Sequence, residues 1–220
     1  MAASEGAPKA ARWPREAGPQ VARATRSVLR RPVAGCACLC LLLAGAAVAH
    51  AAATSSPTVV KDPADARSDA PDLTRAQMGM TSDGRIRVAL TLAKGWVARD
   101  LIASSGPPGS LCVRMWTVSK PGAAPPDYLA CITARADAET THGSVIKTIP
   151  NEASQKVAIA IVGRTSDRTV TIRFSQSAVG RPKTIRFAAE ATKPGCARVS
   201  CVDTAPDAPK TATFRVRSGG

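Results

Sequence analysis

The feature that most constrains the fold is a period-two alternation of apolar and polar residues. In GRIRVALTLA, residues 84–93, the isoleucine, the valine and both leucines fall on one face of an extended strand, opposite two arginines. The same pattern recurs in RTVTIRF (168–174), KTIRFAAE (183–190) and TATFRVR (211–217). An amphipathic helix would instead repeat every 3.6 residues. The pattern therefore predicts strands that each bury one face.

Four less regular segments add further predicted strands. They are SLCVRMWTV (110–118), DYLACITA (127–134), SVIKTI (144–149) and KVAIAIVG (156–163). Clusters of Gly, Pro, Asp and Ser separate the segments, and the only helical candidate is the short stretch 96–104. About eight short strands without βαβ spacing predict an all-β fold, an antiparallel β-sandwich with Greek-key or jelly-roll connections.

The N-terminal part of the chain contains an apolar segment, residues 33–48. It follows Arg30 and Arg31 and precedes the small-x-small sequence Ala-His-Ala at 49–51. This order is typical of a secretory signal peptide, and the segment is short for a transmembrane helix, which needs about 20 residues. We expect cleavage after Ala51, no stable transmembrane span, and a mature protein that is secreted, extracellular or held at the cell envelope.

Three cysteines, Cys36, Cys38 and Cys40, lie inside this apolar segment. A metal site is disfavoured because no histidine or carboxylate is interleaved with them. A lipid attachment site is disfavoured because VAGC (33–36) precedes the apolar core, whereas a lipobox cysteine follows it. We interpret the three cysteines as apolar packing residues of a segment that the mature protein lacks.

The region in front of the apolar core is longer than a signal peptide requires. A start at Val28 gives the compact signal VLRRPVAGCACLCLLLAGAAVAHA, and Val21 is the alternative start. The Ala- and Arg-rich composition is typical of GC-rich bacterial genomes, in which valine start codons are common. We divide the chain into a signal segment (1–51), a flexible leader rich in Ala, Ser, Pro and Asp (52–72), and a folded domain (73–220).

The net charge argues against a nucleic-acid partner. The chain has 30 basic and 16 acidic residues, a net charge of +14, and removal of residues 1–51 leaves 23 and 14, a net charge of +9. The remaining basic residues alternate with apolar ones and form neither a block nor a platform with aromatic residues. Binding to nucleic acid is therefore not expected, whereas weak attraction to anionic surface polymers is.

Four cysteines remain after cleavage, an even number that predicts two disulfides in an exported protein. If 110–118 and 127–134 form an antiparallel hairpin, Cys112 lies opposite Cys131. Cys196 and Cys201 would then close a small loop in PGCARVSC. We predict these two pairs, with free buried thiols as the alternative.

No catalytic constellation is evident in the predicted domain. Its one histidine, His142, lies in a predicted turn without an evident partner, and the motifs of serine hydrolases, zinc proteases and phosphate-binding loops are absent. The pairs Asp203/Asp207 and Asp137/Glu139 are interpreted as turn formers, because a calcium site needs more oxygen ligands. We expect no enzyme activity, no metal and no cofactor.

Trp96, Trp116 and Tyr128 are the candidate binding residues. Exposed aromatic rings in sugar-binding β-sandwiches stack on the C–H faces of sugars. The hairpin register places Trp116 on the same face as Cys112, and a tryptophan packed on a disulfide is also a common core feature. Recognition and core packing therefore both stay open for these side chains.

DLTRAQMGMTSDGRIRVALTLAKGW, residues 72–96, resembles the opening of secreted bacterial β-sandwich domains related to family 9 carbohydrate-binding modules. In that group an Asp-led strand precedes a D-G turn and an alternating strand. The resemblance implies a sandwich fold. The aromatic pair and the calcium ligands typical of the group do not appear downstream.

These observations favour a secreted, non-enzymatic β-sandwich protein that binds a carbohydrate or a cell-envelope component. The alternative is an extracellular protein-interaction or inhibitor domain that presents loops such as SSGPPGS (104–110) to a secreted protein. An extracellular hydrolase is a third hypothesis, disfavoured by the single histidine.

The start site is testable on the precursor that accumulates when signal peptidase is inhibited. We expect its N-terminal sequence to begin at position 28 or 21, with the start codon decoded as methionine. Recovery of the sequence that follows Met1 would contradict this prediction.

Overall fold

Antiparallel strands account for almost all of the regular structure. The computed structural model describes residues 56–66, 71–198 and 201–216, so the predicted signal segment lies outside the described residues. The strands are β1 (Thr58–Lys61), β2 (Leu73–Met80), β3 (Ile86–Leu92), β4 (Ser110–Trp116), β5 (Tyr128–Ala134), β6 (Thr141–Lys147), β7 (Gln155–Arg164), β8 (Thr169–Phe174), β9 (Thr184–Thr192), β10 (Val202–Ala205) and β11 (Ala212–Arg215). The predicted all-β antiparallel class is confirmed.

The strands form one nearly closed, barrel-like sheet. Their order is β1-β2-β3-β8-β7-β6-β5-β4-β9-β10, and β11 pairs with β9 beside β10. The ten-residue strand β7 joins the two halves, because residues up to Ala160 pair with β6 and residues from Ile161 pair with β8. A sandwich of about eight strands is not confirmed: this shared strand makes the two halves continuous along one side.

The two ends of the sheet meet through side chains. The Leu73 amide of β2 donates to Asp203 Oδ2 of β10 over 2.6 Å. The Thr58 hydroxyl of β1 donates to the carbonyl oxygen of Thr213 in β11 over 3.1 Å. These bonds close the sheet without a continuous backbone ladder between the end strands.

The core fills the inside of the sheet, and the alternating segments supply most of it. Ile86, Val88 and Leu90 of β3 are fully buried, as the period-two pattern predicts. Other strands add residues buried to within 1% of full burial, namely Val113, Met115, Ile132, Val170, Ile172, Phe174, Ile185, Phe187 and Phe214. Burial of each large apolar side chain stabilises the fold by about 1.5–3 kcal/mol.

The alternation of apolar and polar residues does not predict three of the strands, although the resemblance of residues 72–96 implies one of them, β2. β1 lies within the predicted leader 52–72, so the prediction of flexibility is wrong for Thr58–Lys61, which pair with β2. β2 escaped detection because a bulge between Leu73 and Arg75 interrupts its alternation. β10 has four residues, one of them an aspartate, and aspartate is depleted in strands.

Helical structure is limited in the described part of the chain. The predicted helix 96–104 is present only as a 3₁₀ turn, Ala98–Leu101, and a second turn spans Gln176–Val179. None of the helices within residues 56–66, 71–198 and 201–216 has the length and apolar character needed to cross a membrane.

Both predicted disulfides are present. Cys112 lies directly opposite Cys131 in the β4–β5 hairpin, with their Cα atoms 4.0 Å apart, so the predicted register is confirmed. Cys196 and Cys201 close the predicted short loop, with a Cα–Cα distance of 6.0 Å. Each bond restricts the unfolded chain more than the folded one.

Gly143 allows β7 to cross from one half of the sheet to the other. It lies opposite Ala160, the last residue of β7 that pairs with β6. A Cβ atom at position 143 would lie 2.7 Å from the Ala160 carbonyl oxygen and 2.9 Å from Cγ2 of Val162. Only a residue without a side chain fits this close approach.

We expect Gly143→Ala to lower the free energy of unfolding by about 1–3 kcal/mol, the usual effect of overpacking. Urea denaturation followed by fluorescence measures it. The control is Ser144→Ala on the next, partly exposed residue, which should change stability by less than about 0.5 kcal/mol. Equal midpoints for the two variants would contradict the role assigned to Gly143.

Candidate functional site

The three predicted aromatic residues do not form one binding surface. Trp96 lies in the loop after β3, at one end of the sheet, and belongs to the core cluster. Tyr128 begins β5 opposite Met115 and packs against the core from inside. Trp116 is on the other face of β4, outside the core cluster. The fold therefore does not bring these three aromatic side chains together on one surface.

Trp116 is covered by loops on the outside of the sheet. It is only 5% exposed, its Nε1 donates to the Ala124 carbonyl oxygen over 3.1 Å, and the Arg114 guanidinium lies 5.2 Å from its ring centre. A small pocket of about 170 Å³ separates it from the loop 206–211. Trp116 thus packs a loop onto the sheet.

The loop that covers Trp116 is organised by Asp127. One carboxylate oxygen accepts the amides of Thr117, Val118 and Ser119 over 2.7–3.0 Å. Burial acts to raise the pKa of Asp127, but the hydrogen bonds from Ser119 and these amides outweigh it and hold the pKa below its usual value. The ionised carboxylate therefore stabilises the β4–β5 connection.

Trp96 is held from several sides. Its amide donates to the Asp167 carbonyl oxygen over 3.2 Å, and its own carbonyl oxygen accepts from Arg164. The Arg164 guanidinium also lies 5.0 Å from the indole centre, within the range of a cation–π contact. The ring is 7% exposed, and its Nε1 is buried without a hydrogen-bond partner. These contacts fix Trp96 as a wall between two pockets.

The larger of these pockets, the end pocket, opens at the end of the sheet. Its volume is about 420 Å³, within the range of about 300–1,000 Å³ usual for small-molecule sites. Its lining is Ala66, Pro71, Asp72, Leu92, Lys94, Gly95, Trp96, Asp100, Leu101, Leu111, Lys193 and Pro194. Apolar walls and charged groups of both signs therefore meet in one cavity.

Hydrogen bonds to the backbone fix two of the charged residues that line the end pocket, Asp100 and Asp72. Asp100 Oδ2 accepts the Val97 amide over 2.8 Å, which fixes the carboxylate at the start of the 3₁₀ turn. The backbone carbonyl of Asp72 accepts the Ala93 amide over 2.8 Å, and Asp72 Oδ1 is buried without a partner. Lys94 is exposed beside them. The pocket can thus offer acceptors and a cationic donor to one ligand.

A second pocket, of about 310 Å³, lies where β6 and β7 diverge. Trp96 and Arg164 line it together with Glu139 and Thr140. It is smaller than the end pocket, and fewer of its lining residues are apolar. We therefore place the candidate binding site in the end pocket.

An aspartate cluster lies where the two ends of the sheet meet. One carboxylate oxygen from each of Asp62, Asp65 and Asp203 lies within 4.8 Å of the others. Asp203 is buried and bonded to the Leu73 amide, and Asp62 Oδ2 is buried without a partner. The sequence singled out Asp203 with Asp207, but the nearest partners come from the other end of the chain.

Burial and mutual repulsion shift the pKa values of this cluster upward. Burial, followed by the charges of Asp207, Asp203, Asp65 and Asp72, raises the pKa of Asp62 to about 6. Burial also raises the pKa of Asp203, against the stabilising bond from the Leu73 amide. Oxygen atoms this close can share a hard cation, but calcium takes about six to eight oxygen ligands. Three carboxylates do not complete such a set, and we assign no metal here.

Neither His142 nor Asp137 lines the end pocket or the second pocket. His142 belongs to β6 and not to a turn, and its Nε2 lies 3.1 Å from the hydroxyl of Thr133 on β5. The prediction of a turn histidine without a partner is therefore wrong. Asp137 accepts the amides of Glu139 and Thr140 over 3.0 Å each, as its interpretation as a turn former requires.

Sequence reasoning found Trp96 but missed the charged residues around it. Lys94 and Asp100 flank the tryptophan in AKGWVARD, and this clustering of charge beside an aromatic residue is the signal that was available. Lys193 and Asp72 come from distant segments, and only the closed sheet brings them to the pocket.

Comparisons with protein-family models, with curated proteins and with solved structures give no significant match.

Because the pKa of Asp62 is raised, we expect that neutralising this residue stabilises the folded protein by an amount that depends on pH. The folded protein binds a proton at Asp62 more tightly than the unfolded chain, so stability falls as pH rises from about 4 to about 6. We expect Asp62→Asn to raise the melting temperature above pH 7, with a gain that disappears near pH 4. Calorimetry in the presence of a chelator measures it.

Asp83→Asn is the matched control for this experiment. The Thr81 hydroxyl and Arg85 hold the pKa of Asp83 below its usual value, the opposite direction. Its neutralisation should give no gain in stability at any pH. A gain for Asp62→Asn that does not depend on pH would contradict the electrostatic explanation.

Proposed function

We propose that the protein is a secreted, non-enzymatic binding domain that holds a carbohydrate in the end pocket. The observation that carries this proposal is the combination, in one open cavity, of leucine walls with Asp72, Lys94 and Asp100. Sites for small polar ligands usually pair an apolar lining with a few fixed polar groups.

A sugar matches this combination of groups. Its hydroxyls donate to carboxylate oxygens and accept from an ammonium group, and hydrogen bonds to charged groups are the stronger ones. Its C–H face can pack on Leu92, Leu101 and the edge of Trp96. Since Trp96 is 7% exposed, it serves as a wall of the pocket and not as a full stacking platform.

The described residues around the pocket favour binding over catalysis. His142, the only histidine in residues 56–66, 71–198 and 201–216, bonds to Thr133 and does not line the end pocket. The carboxylate of Asp100 is engaged by a backbone amide. Neither arrangement pairs a nucleophile with a base, which covalent catalysis requires.

The test is a glycan array followed by titration calorimetry with the best-binding glycan. We expect Lys94→Ala to weaken binding by at least about tenfold, because a hydrogen bond to a charged group contributes about 1.5–3 kcal/mol. Lys120→Ala, an exposed lysine in the β4–β5 connection, is the matched control and should leave affinity unchanged.

Two results would contradict the proposal. Absence of binding across the array would dismiss carbohydrate as the ligand class. Equal weakening by Lys94→Ala and Lys120→Ala would show that the array measures general charge attraction and not the end pocket.

A further inference from the structure

The outer face of β7 exposes a row of aliphatic side chains. Ile159 is 78% exposed, Ile161 42% and Val157 39%, whereas Ala160 between the two isoleucines is buried. Ile159 and Ile161 therefore lie on the same, outward face of the strand. Single exposed apolar residues are ordinary on protein surfaces, but a contiguous row marks a contact surface.

The strands around this row carry only positive charge. Every charged residue in β1 to β8 is basic, and the set is Lys61, Arg75, Arg87, Arg114, Lys147, Lys156, Arg164 and Arg173. Acidic residues occur in the described strands only at Glu190 of β9 and Asp203 of β10. The charged residues on the outer face of β3, β7 and β8 are Arg87, Lys156 and Arg173, and this face is therefore complementary to an anionic surface.

Two arginines lie side by side next to the aliphatic row. Arg87 of β3 is directly opposite Arg173 of β8, and Arg173 is directly opposite Ile161 of β7. Neither guanidinium has a hydrogen bond or ion pair to the described residues, and both side chains are partly exposed. Like charges directly opposite each other destabilise a sheet. A phosphate bound between them would remove this repulsion, since guanidinium geometry suits phosphate oxygens.

We propose that the outer face of β3, β8 and β7 docks on an anionic phospholipid bilayer. Arg87 and Arg173 bind headgroup phosphates, and Ile159 and Ile161 enter the interfacial region beside them. A soluble polyanion would use the arginines but leave the isoleucines in water, and a neutral bilayer would leave the arginine pair unrelieved. The bilayer satisfies both features. This surface is separate from the end pocket, so the inference does not rest on the proposed function.

The test is co-sedimentation of the exported protein with phosphatidylcholine vesicles that contain or lack phosphatidylglycerol. We expect binding only to the anionic vesicles, with an affinity that falls as salt rises. Arg173→Gln should weaken binding by about fivefold, the effect of one basic residue near such a surface. Ile159→Ser should weaken it by about tenfold through loss of buried apolar area.

Two control variants distinguish binding by this face from nonspecific binding to vesicles. Val118→Ser removes an aliphatic side chain that is 90% exposed in the β4–β5 connection, and Arg186→Gln removes an exposed charge on β9. Both should bind vesicles like the parent protein. Ile159→Ser, Val118→Ser and Arg186→Gln should keep the parent melting temperature, and Arg173→Gln should keep or raise it because it removes the repulsion from Arg87. A loss of vesicle binding therefore reports the docking face.

Three results would overturn the proposal. The first is absence of sedimentation with anionic vesicles. The second is equal binding by Ile159→Ser and Val118→Ser. The third is a concentration-dependent dimer that Ile159→Ser abolishes while vesicle binding is unaffected, which would assign the face to a second copy of the chain.

Discussion

The hydrogen bond between the Leu73 amide and Asp203 joins the two ends of the sheet and fixes the surroundings of both acidic regions of the molecule. It links residues that are 130 positions apart. The closure places Asp203 beside Asp62 and Asp65, and burial, together with the charges of Asp207, Asp203 and Asp65, raises the pKa of Asp62. It also positions Asp72, the neighbour of Leu73, in the wall of the end pocket. One buried acceptor therefore organises both the acidic cluster and the candidate binding site.

Charge is separated along the molecule in a way that suits two different contacts. Carboxylates collect at the closure, around Asp62, Asp72 and Asp203, while every charged residue on the outer face of β3, β7 and β8 is basic. The carboxylates at the closure suit a polar ligand that donates hydrogen bonds, and the basic face suits a surface that carries phosphates. The net charge of +14 does not reveal this division.

Local patterns were predictable and long-range pairings were not. The alternation in β3 and the register of Cys112 with Cys131 follow from neighbouring residues, because strand periodicity and a hairpin need no other part of the chain. β1 and β10 are four residues each and acquire their structure from pairing with β2 and β9. Trp96 stood out as a rare aromatic residue, but the approach of Lys193 to it depends on the closed sheet.

The position of the last strands in the sequence also bears on how the chain folds. β9 must pair with β4, β10 and β11, and β1 contacts β11 through Thr58 and Thr213. The sheet cannot close until the final segment has emerged, and such non-local pairing is intrinsically slow. Until β9 has formed, the edge of β4 that will pair with it stays open to pairing with another chain.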